Sequence, residues 1–215
     1  MSPVSHLSTL LFDLDGTLVD SVELILASWR HTMEAHFGEA PEDHVWLETM
    51  GQPLRSQFRA FADLANPVEA LVATYVEHNH REHDRLIRPF PRVRETLASL
   101  RSQGLTMGIV TSKASRGTAL ALAACRLDPE WFDVVITSDA PVPHKPDPAP
   151  VRLALEGVGA SPEDAAFIGD SVWDLRAGRD AGVTTVAALW GPFERGFLER
   201  EEPDHALEDI GDLVG

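Results

Sequence analysis

The sequence has a single cysteine, Cys125, among 215 residues, so an internal disulfide is excluded. Cys125 sits among alanine and leucine residues, and we expect it to be a core side chain. No apolar run approaches the roughly 18 residues of a membrane-spanning helix. The first twelve residues also lack the basic and apolar regions of a signal peptide. These absences predict a soluble, reduced, cytoplasmic protein with no membrane partner.

Basic residues are also scarce. The 18 lysines and arginines are outnumbered by 34 aspartates and glutamates, which gives a formal net charge of −16. Nucleic-acid backbones and anionic membranes would repel such a chain, so neither is an expected partner. A small anionic substrate could still bind where local cations outweigh the overall field. Hydrophobic residues make up 44% of the chain, enough to bury a sizeable core.

Apolar segments of strand length alternate with helical patterns through most of the chain. Strands are expected at 7–12, 105–111, 132–137, 165–168 and 184–189, and helices at 93–103, 114–125, 148–156 and 173–181. This alternation predicts a doubly wound, Rossmann-like α/β fold with a parallel sheet.

A long helical stretch interrupts this alternation after the first strand. About 65 residues with helical spacing precede the second strand, too many for a single crossover helix. Helices are expected there at about 20–37, at 45–65 with a break near 51–53, and at 67–85. We therefore predict an α/β core domain of residues 1–19 and 86–215 and a helical cap domain of residues 20–85.

Four polar segments fall at or just beyond the ends of predicted strands. They are residues 13–17 (DLDGT), 111–113 (TSK), 144–147 (HKPD), and 169–171 (GDS) with Asp174. In doubly wound folds, ligands bind outside the carboxyl ends of the strands, so these segments are expected to meet.

The residue types in these segments fit one kind of chemistry. Four carboxylates, those of Asp13, Asp15, Asp170 and Asp174, could not lie together ionised without a cation. Mg²⁺, which prefers oxygen ligands, resolves that conflict. A lysine and hydroxyl donors in the other segments complete a set typical of phosphoryl transfer, where positioning and charge neutralisation dominate.

The segments FDLDGTLVDS (12–21), VTSK (110–113), HKPDP (144–148) and GDSVWDLRAGRDAGV (169–183) resemble the four motifs of the haloacid dehalogenase superfamily, phosphatase branch. The resemblance covers nearly the whole chain, and the helical stretch after the first motif resembles that family's cap. Segments 23–26, 31–33 and 79–84 look like the bacterial pyrophosphatases related to phosphoglycolate phosphatases.

The resemblance implies a role for each motif residue. Asp13 would be the nucleophile that forms an aspartyl-phosphate. Asp15 would protonate the leaving oxygen and then activate water, a role that the superfamily's dehalogenases do not need. Thr17 would orient Asp15.

The remaining motif residues would bind the metal and the phosphate. Mg²⁺ would be held by Asp13, the backbone carbonyl of Asp15 and Asp170, with Asp174 in support. The transferring phosphoryl group would be held by residues of the second and third motifs, namely Thr111, Ser112, Lys113 and Lys145.

Three residues of the cap loop are candidates for contact with the leaving group. Gly51, Gln52 and Arg55 interrupt the cap helices, and in capped members of the family such a loop closes over the site. The alternative is a plain turn between helices. His78, His80 and His83 lack a spacing that specifies zinc, so we expect solvated positions or cap–core contacts, although they could face the substrate.

The expected function is Mg²⁺-dependent hydrolysis of a small phosphate monoester resembling phosphoglycolate, which would be the main partner. An inorganic pyrophosphatase and a β-phosphoglucomutase-like phosphotransferase are alternatives that share these motifs. A non-catalytic binding protein on the same fold is an alternative from another class. The sequence leaves the substrate open, and the protein could be a monomer or a homodimer.

Overall fold

The computed structural model describes residues 4–214. Its strands are β1 (Thr9–Phe12), β2 (Val19–Asp20), β3 (Arg88–Pro89), β4 (Thr106–Val110), β5 (Val134–Ile136), β6 (Ala165–Gly169), β7 (Thr184–Ala188) and β8 (His205–Leu207). Its helices are α1 (Val22–Phe37), α2 (His44–Leu47), α3 (Leu54–Phe58), α4 (Val68–Leu86), α5 (Val93–Ser102), α6 (Ser115–Ala124), α7 (Ala149–Val158), α8 (Val172–Ala181) and α9 (Arg195–Glu199).

Six of these strands form one parallel sheet in the order β5-β4-β1-β6-β7-β8. The chain builds outward from β1 through β4 and β5, and then crosses to the other side of β1 to add β6, β7 and β8. The prediction of a doubly wound parallel α/β fold is thereby confirmed. The reversal of strand order lies at β1, where ligands bind in such folds.

The two faces of the sheet are covered by separate hydrophobic clusters. Leu10 and Phe12 of β1 belong to one cluster, which includes α5 residues such as Val93 and Leu97. Leu11 points the other way, into a cluster with α7 and α8 residues such as Val151. Successive side chains of a strand alternate between its faces, so the fully buried β1 needs apolar residues on both sides.

Helices α1 to α4 form a cap with a hydrophobic cluster of its own. Trp46 lies at its centre, stacked on Trp29 with ring centroids 5.6 Å apart and tilted against Phe58 at 4.9 Å. Helices α2 and α3 are shorter than the predicted 45–65 stretch, which breaks at Gly51 and Pro53. No helix within residues 4–214 is long and apolar enough to cross a membrane.

A short antiparallel ribbon links the cap to the sheet. Strand β2 pairs with β3, placing Val19 opposite Pro89 and Asp20 opposite Arg88. The chain leaves the core through β2 and returns through β3. The predicted limit at 19/20 falls within β2, and the limit at 85/86 falls at the end of α4, just before β3. The two strands of the ribbon are too short for a sequence pattern to indicate them.

Candidate active site

The four polar segments converge at the carboxyl edge of the sheet. Asp13 follows β1, Thr111 follows β4 and Asp170 follows β6, and these three strands are neighbours. A cavity of about 440 Å³ opens there, between the sheet and the cap. Its walls include these predicted site residues: Asp13, Asp15, Gly51, Gln52, Arg55, Thr111, Ser112, Lys113 and Asp170. Three more predicted residues, Thr17, Lys145 and Asp174, are buried beside it.

Lys145 is a buried cation that donates to groups after β1, at the end of β4 and in the first turn of α8. Its ammonium donates to Asp13 Oδ1 at 2.9 Å, to Asp174 Oδ1 at 2.6 Å and to the Val110 carbonyl at 3.1 Å. Burial opposes the charge, but the two carboxylates outweigh it and raise the pKa of Lys145. The lysine therefore stays charged and neutralises part of the aspartate cluster.

Asp174 has both oxygens engaged by the chain. While Oδ1 accepts from Lys145, Oδ2 accepts from the Ser171 amide at 3.0 Å and the Ser171 hydroxyl at 2.5 Å. These bonds form a capping box at the start of α8, which explains why a serine stands three residues before an aspartate here. Asp174 is thus suited to positioning its neighbours.

The carboxylates of Asp13, Asp170 and Asp174 can bring one oxygen each within 4.8 Å of one another, and all three are buried. Burial, followed by the opposing pull of Lys145 and the repulsion of Asp174, raises the pKa of Asp13 to about 7. Burial and the charges of Asp13 and Asp174 likewise raise the pKa of Asp170. One ammonium does not balance three carboxylates, so the site favours a further cation.

The donor set fits Mg²⁺. The second oxygens of Asp13 and Asp170 receive no hydrogen bond from residues 4–214, because the first oxygens take the bonds from Lys145 and Thr17. Asp13 and Asp170 would hold the ion directly, with Asp174 behind them. Hard carboxylate oxygens of this kind are the ligands that Mg²⁺ prefers.

Asp15 points away from the aspartate cluster and is held by two donors. Lys113 contacts both of its oxygens at 3.0 Å, and the Ser21 hydroxyl donates to Oδ1 at 2.6 Å. The Asp15 carboxylate is accordingly absent from the three-aspartate cluster. The predicted general acid/base is therefore close to the predicted nucleophile but engaged elsewhere.

The prediction that Thr17 orients Asp15 is wrong, because Thr17 binds Asp170 instead. The Thr17 hydroxyl donates to Asp170 Oδ1 at 2.8 Å, across 153 residues of sequence. The intervening Gly16 has φ +89°, and a Cβ there would lie 2.2 Å from Asp170 Oδ2. The tight turn that brings Thr17 back under Asp170 therefore requires glycine. Spacing along the chain favoured Asp15, and only the fold reveals Asp170.

The cap loop reaches the cavity and rests on the core. A Cβ on Gly51 would lie 2.9 Å from Ser171 Oγ, so backbone packs directly on the loop that follows β6. Gln52 lines the cavity, and its carbonyl accepts from Gln57 at 2.8 Å. Arg55 also lines the cavity, but it is exposed and pairs with Glu69 at 2.5 Å. Their contact with a leaving group stays a prediction.

The three cap histidines have three different environments. His80 lines the cavity. His78 stacks on His31, with ring centroids 4.4 Å apart, and contacts Ser28 Oγ at 3.3 Å. His83 is buried, with Nδ1 at 3.1 Å from the Asp84 carboxylate. None of them belongs to a cluster of three metal-ligand side chains among the residues described.

Three contributors to the site were not predicted from the sequence. Ser21 binds Asp15, and the Trp190 indole donates to the Thr17 carbonyl at 2.8 Å, which braces the turn after β1. Arg116 lines the cavity one turn after Lys113. Its position, four residues after Ser112 at the start of a predicted helix, was the available signal. Nothing in the local sequence marks Trp190.

Comparison with known proteins gives consistent results. The family model for haloacid dehalogenase-like hydrolases matches residues 10–188. A pyrophosphatase PpaX from Bacillus cereus (strain AH820) is 38% identical over 208 residues, covering 97% of this chain and 95% of that protein. A pyrophosphatase PpaX from Bacillus mycoides is 37% identical over 208 residues with the same coverage.

Solved structures share the whole architecture. A predicted haloacid dehalogenase-like hydrolase from Bacteroides fragilis matches with a TM-score of 0.88 and 27% identity, over 96% of this chain and 99% of that one. A predicted phosphoglycolate phosphatase from Lactobacillus plantarum matches with a TM-score of 0.85 and 27% identity, over 97% and 98% of the two chains.

Proposed function

This chain belongs to the haloacid dehalogenase-like hydrolases, and on that premise we propose that it is a Mg²⁺-dependent phosphohydrolase acting through an aspartyl-phosphate on Asp13. The observation that carries the proposal is the placement of Asp13 and Asp15 on one cavity. Asp13 has one oxygen fixed by Lys145 and one without a donor among the described residues.

The two aspartates divide the reaction between them. An Asp13 oxygen attacks phosphorus, and the bond from phosphorus to the bridging oxygen breaks while Asp15 supplies the proton that this oxygen needs. Asp15 then takes a proton from the water that attacks the aspartyl-phosphate, which releases inorganic phosphate and restores Asp13. Bound Mg²⁺ would offset the negative charge of the carboxylates and of the phosphoryl group.

The surrounding donors suit a transferring phosphoryl group. The Ser112 hydroxyl is buried and has no hydrogen-bond partner among the described residues, although the residue lines the cavity. An unpaired buried hydroxyl costs about 1–3 kcal/mol, which a phosphoryl oxygen would recover. We therefore assign Thr111 and Ser112 to the phosphate.

Inorganic pyrophosphate is the substrate we favour, and phosphoglycolate is the second candidate. Both have an anionic leaving group, and Lys113, Arg116, Arg55 and His80 bring cationic or titratable groups to the cavity wall. Lys113 and Arg116 come from the core, whereas Arg55 and His80 come from the cap. The curated relatives named above are pyrophosphatases, which sets the order of the two candidates.

Phosphate release from a substrate panel tests this proposal. The panel should contain pyrophosphate, phosphoglycolate, glucose 1-phosphate and ethyl phosphate, each with Mg²⁺ and with a chelator. We expect Mg²⁺-dependent turnover of pyrophosphate, and loss of that turnover in Asp13→Asn. Phosphoryl transfer between sugar phosphates without release would favour the mutase alternative. No release from any compound would favour a binding protein.

The remaining expectations have no direct test in the structure. A small phosphorylated metabolite as partner, the expected lack of nucleic-acid and membrane partners, a cytoplasmic location and a monomeric or homodimeric state stay predictions. The domain limits at 19/20 and 85/86 also stay predictions, supported by the separate hydrophobic cluster of the cap.

A further inference from the structure

The chain contains only two lysines, and each contacts one of the two aspartates in segment 13–17. Lys145 binds Asp13 and Lys113 binds Asp15. The other 16 of the 18 fixed cations are arginines. Lys145 is needed as a buried counter-charge. The position of Lys113 has a different consequence, because Asp15 is turned toward the ammonium and the Ser21 hydroxyl and would have to leave them to reach a leaving oxygen.

Both oxygens of Asp15 are occupied here. Oδ1 accepts from Ser21 at 2.6 Å and from Lys113 at 3.0 Å, and Oδ2 accepts from Lys113 at 3.0 Å. The pair is largely enclosed, with 13% of the Lys113 side chain and 18% of the Asp15 side chain exposed. Little solvent reaches the contact between Lys113 and Asp15. For Asp15 to act on the substrate, another group must therefore take its place beside the Lys113 ammonium.

The geometry points to Lys113 as the specificity-determining residue: it moves its ammonium from Asp15 to the anionic leaving group, and this exchange frees Asp15. The inference rests on the proposed function and deepens it. A leaving group without charge provides no anion that the ammonium could bind in place of the Asp15 carboxylate. Asp15 then stays engaged, and the substrate is turned over slowly.

The cavity wall beside Lys113 is suited to receive that anion. Arg116 and His80 line the same cavity, one from the core and one from the cap. Burial lowers the pKa of His80 most, and the nearby charges of Arg116, His83 and Lys113 lower it further. An anion bound between Lys113 and Arg116 would lie within reach of this wall and near Asp15.

Helix α6 leaves room for the lysine stem. Gly117 lies inside α6, where glycine costs about 1 kcal/mol relative to alanine. A Cβ at this position would lie 3.1 Å from Lys113 Cε and 3.2 Å from Cγ. The glycine therefore admits the stem at close range. A flexible stem with a compact ammonium can exchange partners more readily than the planar fork of arginine, which would grip both Asp15 oxygens.

Selectivity between charged and uncharged leaving groups is the decisive measurement. The ratio of kcat/KM for pyrophosphate to kcat/KM for ethyl phosphate should be determined for wild type, Lys113→Met and Arg94→Met. Arg94 is exposed on α5, outside the cavity, and its replacement removes the same charge. We expect Lys113→Met to lower the ratio by about 10- to 100-fold, the usual range for a hydrogen bond to a charged group. Arg94→Met should leave it unchanged.

Two further variants separate partner exchange from a structural role. Gly117→Ala keeps the charge but crowds the stem, and it should also lower the ratio. Lys113→Arg keeps the charge, but kcat for pyrophosphate should fall, because the guanidinium stays on Asp15. Equal losses on both substrates in Lys113→Met would overturn the inference, since they would mean that Lys113 supports the site without selecting.

Lysine NMR gives a readout independent of turnover. With ¹³Cε-lysine labelling, the two lysine side chains give separable signals, and the Lys113 signal is assigned from Lys113→Met. In Asp13→Asn protein, the Lys113 signal should shift on addition of pyrophosphate and stay in place with ethyl phosphate. An unmoved Lys113 signal at saturating pyrophosphate would overturn the exchange. Absence of pyrophosphate hydrolysis by wild type would instead refute the proposed substrate.

Discussion

The raised pKa of Asp13 predicts that the metal-free protein loses stability as pH rises. In the folded chain the pKa of Asp13 is about 7, whereas its ordinary value is 3.8. The folded state therefore binds more protons at Asp13 than the unfolded state does between these values. The stabilising contribution is fully present below about pH 4 and is lost as pH rises through about 7.

The magnitude follows from the size of the shift. A difference of about three pKa units, at about 1.4 kcal/mol for each, corresponds to a loss on the order of 4 kcal/mol between pH 4 and pH 8. Burial is the main cause, and Asp174 adds to it. Mg²⁺ binds the ionised carboxylates, so saturating Mg²⁺ should largely remove the loss.

Urea unfolding of wild type and Asp13→Asn, measured with and without Mg²⁺ between pH 5 and pH 8, reports this effect together with the part of the Asp170 shift that the Asp13 charge causes. Burial lowers the pKa of His78 and of His80, which favours the folded state as pH rises, but the effect is common to both proteins and cancels in their difference. We expect metal-free wild type to lose stability relative to Asp13→Asn as pH rises. A difference that stays constant across this range would refute the account of a buried, undercompensated carboxylate.

Three other predictions concern neighbouring parts of the molecule. Thr17→Val removes the donor to Asp170, and we expect Mg²⁺ affinity to fall about 10- to 100-fold by titration calorimetry, with little change in thermal stability at saturating Mg²⁺. Gly16→Ala drives a Cβ into Asp170, so both Mg²⁺ binding and turnover should be lost in a protein whose circular dichroism is preserved; near-normal Mg²⁺ binding would contradict the contact. Trp46→Ala empties the centre of the cap cluster and should cost about 3–5 kcal/mol in urea unfolding, whereas a change below about 1 kcal/mol would show that the cap is not packed as described.

Much of the core fold was predictable because its strands are short apolar runs separated by helices of regular period. Strands β1, β4, β6 and β7 begin and end within two residues of the predicted bounds. Strand β8, by contrast, is three residues long with only Leu207 buried, so no pattern distinguishes it from a loop. Strands β2 and β3 have two residues each, and they pair because the chain leaves the core and returns to it at the same place.

Which residues lie at the site was easier to predict than which atoms bond to one another there. Parallel strands place their carboxyl ends together, so residues after β1, β4 and β6 must be neighbours whatever their sequence separation. Which oxygen binds which donor depends on turn geometry, as the bond from Thr17 to Asp170 shows. The same limit applies to Lys113, whose place in a motif suggested phosphate but whose ammonium lies on Asp15.

The leaving-group side was the least predictable part of the site because two distant segments form it. His80 belongs to α4 and Arg116 to α6, and only the packing of these helices brings the residues to one cavity. Helical periodicity indicates which faces are buried, but it does not indicate which cap face meets which core helix. Substrate preference therefore depends on an interface that a single sequence does not reveal.

The central claim is that Asp13 accepts the phosphoryl group, and covalent trapping tests it most directly. The enzyme is mixed with pyrophosphate and Mg²⁺, quenched in acid during turnover, reduced with borohydride and digested for peptide mass spectrometry. Reduction converts an acyl phosphate of aspartate to homoserine. We expect homoserine at position 13, dependent on both substrate and Mg²⁺ and absent from Asp13→Asn. Homoserine at position 15, or continued turnover by Asp13→Asn at a near wild-type rate, would contradict it.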